Sequence, residues 1–79
     1  MPTLRLFAQA REAAGTSVDD VPGDTVAEVL DAAEGRYGAG FTEVLGICRV
    51  WVNGEPADLA AVVSPADEVA VLPPVSGGC

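Results

Sequence analysis

The sequence predicts an α+β fold in which a mixed sheet of about five strands packs on one main helix. Three features of its 79 residues carry this reading. They are strand-like apolar segments near both ends, one capped amphipathic stretch beginning at Thr25, and an Asn-Gly turn at Asn53-Gly54. The natural division is one domain over 1–72 and a tail over 73–79. A chain this short buries only about 60% of the surface it exposes when unfolded, so the core should be thin and a large catalytic cavity is not expected.

The elements follow in order. Thr3 to Ala8 alternates, with Leu4, Leu6 and Ala8 on one face and Arg5 and Phe7 on the other, the period of a half-buried strand. Thr16 to Val21 carries Val18 and Val21 and stops at the turn dipeptide Pro22-Gly23, which suits a short second strand in a hairpin with the first. Thr25-Val26-Ala27-Glu28 has capping-box form: the Thr25 hydroxyl accepts from the Glu28 N–H while the Glu28 side chain returns to the Thr25 N–H. Val26, Val29, Leu30, Ala33 and Tyr37 make one apolar stripe, and Gly38 and Gly40 supply a left-handed stop, so the helix should run from Val26 to Tyr37. Phe41 to Gly46 adds one further helical turn. Ile47 to Asn53 is β-branched and aromatic, as a central strand is, and Asn53-Gly54 turns it into a short strand over Glu55 to Leu59. After turn chemistry at Ser64-Pro65-Ala66-Asp67, Glu68 to Leu72 reads as a last, buried strand.

Composition excludes several functions. There are twelve acidic residues against four arginines, no lysine and no histidine, for a net charge of −8. Without imidazole, the commonest general base and metal ligand is missing. Arg5, Arg11, Arg36 and Arg49 are scattered, so a phosphate backbone would meet net repulsion and nucleic acid is not an expected partner. Two cysteines make neither a disulfide framework nor a four-ligand zinc site. The N-terminus has no apolar run of signal-peptide kind and no stretch suits a membrane span, which points to the cytoplasm. Asp19-Asp20 and Asp67-Glu68 are adjacent in sequence and point to opposite faces of a strand, unlike a convergent catalytic pair. Cys48, in an apolar run, reads as a buried, inert thiol, and Trp51 as a structural residue half exposed on the sheet.

From Pro73 the chain reads Pro-Pro-Val-Ser-Gly-Gly-Cys. Prolines cannot donate to a ladder and paired glycines hold no fixed conformation, so this segment should project as a flexible Gly-Gly tail of roughly 23 to 25 Å if straight. Backbone without side chains passes through channels closed to other residues. A carboxylate exposed at its end is a poor acyl donor until a partner converts it to a mixed anhydride, which sulfur or amine nucleophiles then attack. Such a chain needs no catalytic residue of its own.

The order β, β, α, β, β, β is the β-grasp arrangement of ubiquitin-like proteins. Leu6-Phe7-Ala8-Gln9-Ala10-Arg11-Glu12-Ala13-Ala14-Gly15-Thr16 closely resembles the opening of the MoaD family, the small subunits of molybdopterin synthase, and Val52-Asn53-Gly54 resembles that family's central hairpin. Asp67 to Gly78 is similar to the family's last strand and tail almost position for position. Sulfur carriers of the ThiS type, for thiamine or cysteine synthesis, share the fold but match this ending less well.

The resemblance implies that an E1-like adenylating enzyme (MoeB-like), using ATP and carrying zinc, activates the Gly78 carboxylate, and that a sulfur donor then leaves a Gly78 thiocarboxylate. Gly77 and Ser76 would lie in the partner's channel. The large subunit of the synthase (MoaE-like) would take the tail and supply catalysis, while this chain binds no cofactor. Docking should use the sheet face beside the tail, where Phe7, Arg11, Leu72, Pro73, Pro74 and Val75 would give an apolar patch with a cationic rim.

The family pattern ends at the second glycine, whereas this sequence continues to Cys79. Three explanations stand side by side. A JAMM-type metallopeptidase trims the residue from a precursor; or Gly-Gly-Cys is the cysteine-loaded product of a cysteine-synthesis carrier; or Cys79 itself carries persulfide sulfur. A reading of another class is a ubiquitin-like binding or tagging module joined to target lysines.

Overall fold

The computed structural model describes residues 1–73. Its elements are β1 (Thr3–Leu6), α1 (Ala8–Ala14), β2 (Val18–Asp20), α2 (Val26–Tyr37), α3 (Ala39–Leu45), β3 (Arg49–Val52), β4 (Glu55–Pro56) and β5 (Glu68–Leu72). Five strands form one sheet in the order β2-β1-β5-β3-β4, with β1 and β5 parallel and the other pairs antiparallel. This is the expected β-grasp, and the strand leading to the tail is its centre.

Alternation decides which side of the sheet meets the helix. Leu4 and Leu6 of β1 and Val69 and Val71 of β5 are fully or almost fully buried. They pack with the α2 stripe of Val26, Val29, Leu30 and Ala33 in a single core that also takes Phe41. Burying each such side chain contributes roughly 1.5–3 kcal/mol. The start of α2 leaves no donor unused: the N–H groups of Val26 and Ala27 donate to the carbonyls of Ala61 and Leu59, that of Glu28 to the Thr25 hydroxyl, and that of Val29 to the Thr25 carbonyl. The capping box differs in its return half. Glu28 Oε1 accepts from the Asp24 N–H at 3.2 Å rather than from Thr25.

Several boundaries shift. The first strand ends at Leu6 instead of Ala8, because Ala8 takes a left-handed φ of 50° and turns the chain into α1, a helix the sequence reading did not foresee. Gly38, at φ 93°, ends α2 as expected, but Gly40 has no positive φ and lies inside α3. That helix is longer than one turn and is anchored by Phe41, whose ring meets Tyr37 edge-on at 5.1 Å. The strand expected over Ile47 to Asn53 is paired only at Arg49–Val52, and its return is two residues, after which the Ala57 N–H still donates to the Val50 carbonyl at 3.0 Å. Asn53 and Gly54 both have positive φ, 51° and 83°, as a tight hairpin turn requires. No described helix is long and apolar enough to cross a membrane.

Candidate functional site: the open face at the root of the tail

The alternation that buries one side of the sheet exposes the other. Thr3 and Arg5 of β1, Ala70 and Leu72 of β5, and Arg49 and Trp51 of β3 share the uncovered face. Register aligns them in rows: Val18, Arg5, Ala70, Trp51 and Pro56 cross all five strands, and Arg49 stands opposite Leu72. Trp51 is 36% exposed. The result is an apolar band with guanidinium groups in it, on the face that ends at Leu72 and Pro73.

The sequence-predicted docking residues fall as follows. Phe7 is extended, 42% exposed, and its N–H donates to the Val71 carbonyl at 3.3 Å, so it continues the outward series of β1 beside Leu72. Leu72 is half-buried on the open face and Pro73 follows it. Arg11 is exposed on α1, one turn beyond Phe7, and no hydrogen bond or ion pair joins its side chain to Phe7 or Leu72 among the described residues. Pro74, Val75, Ser76, Gly77, Gly78 and Cys79 lie outside the described residues, as do the expectations placed on them. Trp51 stands half exposed on the sheet, as expected, and Arg49, to which sequence reasoning gave no site role, shares its face. Their alternation with Val50 and Val52 was the available signal, and only the pairing with β5 turns it into a place beside the tail.

The charges on this face are unequal in availability. Arg5 Nε is 2.5 Å from Glu68 Oε2. Arg49 forms no ion pair among the described residues, so its charge remains for a partner. Elsewhere the ionisable groups do structural work. Asp19, on the helix side of β2, accepts from Tyr37 Oη at 2.5 Å and Arg36 Nη1 at 2.7 Å, and those two bonds hold its carboxyl below the usual range. Tyr37 is pushed up to about 12, by burial first and by Asp19 second. Asp67 accepts from Asn53 Nδ2 and the Ser64 N–H, which lowers it. Burial pushes the Cys48 thiol up, and its Sγ donates to the Val44 carbonyl at 3.1 Å, as suits a packing residue. No three acidic or cysteine side chains gather as a metal-binding group among the described residues.

The model of the ThiS family matches residues 4–78, so the match ends on the second glycine. The chain belongs to the ThiS family. Its members are small ubiquitin-like sulfur carriers, and the relatives span the domain at nearly full length. The small archaeal modifier protein 1 of Haloferax volcanii is 40% identical over 94% of this chain and 97% of that protein. The molybdopterin synthase sulfur carrier subunit of Phaeosphaeria nodorum is 36% identical over 96% of this chain and 88% of its own length. Among solved structures, the Amycolatopsis orientalis BexX/CysO complex matches with a TM-score of 0.83 at 26% identity, covering 99% of this chain and 100% of that one.

Proposed function

We propose that this chain carries sulfur as a thiocarboxylate on Gly78 and donates it, as the small subunit of a molybdopterin synthase, in the cytoplasm. The observation that carries the reading is the family match running through the domain to Gly78. The open face at the root of that segment supports it, because Trp51, Leu72 and Phe7 supply contact area and Arg49 an unspent charge for a partner. The molybdopterin assignment rests on the Leu72-Pro73-Pro74-Val75-Ser76-Gly77-Gly78 ending and on the Phaeosphaeria nodorum relative.

The chemistry proceeds in stages, each on a partner enzyme. A metallopeptidase adds water across the Gly78–Cys79 amide, leaving the Gly78 carboxylate and the amine of the released cysteine. An adenylating enzyme lets a Gly78 oxygen attack the α-phosphorus of ATP, and pyrophosphate leaves. Hydrosulfide from the sulfur donor then attacks the acyl carbon, AMP leaves and the S–H proton is lost to solvent, which gives the thiocarboxylate. ATP and any zinc belong to the activating enzyme, and the large subunit of the synthase receives the tail.

One observation favours a second reading. Cysteine follows directly on Gly77-Gly78, and a CysO complex is among the structural matches, so Gly-Gly-Cys also suits a cysteine-loaded carrier. Intact-protein mass spectrometry of the chain purified from its native cytoplasm, before and after incubation with an E1-like enzyme, ATP and a sulfur donor, tests the proposal. Loss of Cys79 followed by a gain of about 16 Da, one oxygen exchanged for sulfur, is the expected result. Retention of Cys79 with no exchange, where a chain ended at Gly78 reacts, would overturn the trimmed-carrier reading.

A further inference from the structure

A cleft of about 620 Å³ opens at the β4 edge of the sheet, where the chain leaves the hairpin after Pro56. Leu30, Leu45, Trp51, Pro56 and Leu59 line it, so its walls are mainly apolar. Its size lies within the range of small-molecule sites. Leu59 is 57% exposed, which leaves part of that apolar wall in contact with water.

The backbone adds one open donor to these walls. The Asn53 N–H donates to the Glu68 carbonyl, and antiparallel pairing alternates, so the N–H groups of Trp51 and Arg49 also face β5 while those of Val52 and Val50 face β4. Val52 is paired with Glu55 of β4. Beyond it, the Ala57 N–H donates to the Val50 carbonyl at 3.0 Å, but no return bond joins the Val50 N–H to the Ala57 carbonyl among the described residues. Val50 lines the cleft, and so does Arg49, whose guanidinium forms no ion pair among the described residues. Two adjacent residues thus bring a cation and an open amide donor to one place in an apolar wall.

We infer that this cleft binds a small amphipathic monocarboxylate, an aromatic or branched aliphatic acid, with its carboxylate on Arg49 and the Val50 N–H and its apolar body against Leu30, Leu45 and Leu59. The two oxygens of one carboxylate match the two kinds of donor. A polypeptide suits the place less. An extended segment needs a partner for each backbone group it turns to the edge, and this edge has a single donor to offer, since the Cys48 N–H is spent on the Leu45 carbonyl at 3.1 Å. Asp58, the one acidic side chain in the lining, opposes the ligand's charge, although its Oδ1 is occupied by the Ala60 N–H at 3.0 Å.

Trp51 and Arg49 also stand on the uncovered face, so a bound acid takes the cation that a docking partner would use. That consequence rests on the carrier reading. The binding itself does not, and its test needs this chain alone, so failure of the carrier chemistry cannot imitate failure of the site.

The test is an NMR titration of the 79-residue chain with 3-phenylpropionate and, separately, with its neutral amide. The amides of Leu45, Val50 and Leu59 and the Trp51 indole should shift and saturate with a dissociation constant of about 4 mM, which roughly eleven ligand atoms deliver at ordinary efficiency, while Val18 and Asp20 on the far edge stay put. The acid should bind about 5-fold more tightly than the amide. Arg49→Gln should bring the acid to the level of the amide, and continued binding of the amide shows that the variant is folded. Asp58→Asn, which keeps an oxygen for the Ala60 N–H, should tighten the acid about 2- to 5-fold and leave the amide unchanged. Shifts that stay linear beyond about 20 mM, saturation centred outside the cleft, or equal affinity for acid and amide overturn the inference. So does tighter binding of the uncharged peptide acetyl-Leu-Phe-amide, which would make the occupant a polypeptide.

Discussion

Gly23 and Gly35 flank the first turns of α2, and alanine at each should move stability in opposite directions. Gly23 has φ +154°, and a Cβ there would stand 2.6 Å from the Val29 nitrogen and 2.7 Å from its Cγ2. Carbon contacts are comfortable near 3.5–4.0 Å, so the helix must retreat by about 1 Å. The unfavourable backbone costs about 1–3 kcal/mol and the overpacking a similar amount, so Gly23→Ala should lose about 2–5 kcal/mol. A domain of this length has roughly 4–12 kcal/mol in all, which makes the variant marginal. Gly35 lies within α2 and a Cβ there meets nothing within 4 Å. Gly35→Ala should therefore gain about 0.5–1 kcal/mol from helix propensity alone. Urea unfolding followed by circular dichroism measures both. A Gly23→Ala loss below about 1 kcal/mol would refute the close approach of the Pro22-Gly23 turn to α2, and a destabilising Gly35→Ala would refute the open surround of Gly35.

Other perturbations separate docking from folding. Trp51→Ala and Arg49→Glu, both on the uncovered face, should weaken binding to the activating enzyme by about 10- to 100-fold while leaving the melting temperature within a few degrees; calorimetry and thermal unfolding read the two effects. Asp19 has a lowered folded-state pKa, so its contribution is complete above the ordinary value of 3.8 and is lost as pH falls through the lower folded value; in Asp19→Asn that acid loss should shrink in pH-dependent urea unfolding. Tyr37 is raised, so its contribution is present below pH 10.0 and fades as pH rises through about 12, and absorbance titration of Asp19→Asn should show a lower midpoint that burial still keeps above 10.0.

What the sequence discloses here depends on how local the cause is. α2 is legible to the residue, because Thr25, the Val26-to-Tyr37 stripe and Gly38 all act within a few positions of one another. The Asn53-Gly54 hairpin and β5 are legible for the same reason. The first helix, α1, is not: its N-cap is Phe7, which makes no side-chain cap, only Ala10 of its seven residues is buried, and its entry needs a left-handed alanine. The short β4 is not legible, because its length is set by pairing with Trp51 and Val52 rather than by a local signal within Glu55 to Leu59. Phe7 and Leu72 could be placed near the tail by resemblance. Arg49 could not, because its neighbour Leu72 is 23 positions away and the register that joins them is a property of the folded sheet.

That register also bears on how, on the proposed reading, so acidic a chain would meet a partner by one face. With a net charge of −8, distant approach to an acidic surface is repulsive from every side. At physiological ionic strength, however, exposed charges act over about 8 Å, so the encounter is governed by the groups at the contact rather than by the total. Two of the four arginines, Arg5 and Arg49, stand on the uncovered face, and Glu68 neutralises only one of them. The free cation is therefore beside Leu72, the point from which the carrier segment departs. On the proposed reading, a partner with a carboxylate at that point would be drawn to Arg49, and the apolar band of Trp51, Ala70 and Leu72 would then hold it there. Raising salt should accordingly slow this association while leaving the apolar contribution to complex lifetime in place, whereas Arg49→Gln should remove most of the salt dependence and Trp51→Ala little of it, a division that stopped-flow kinetics resolves.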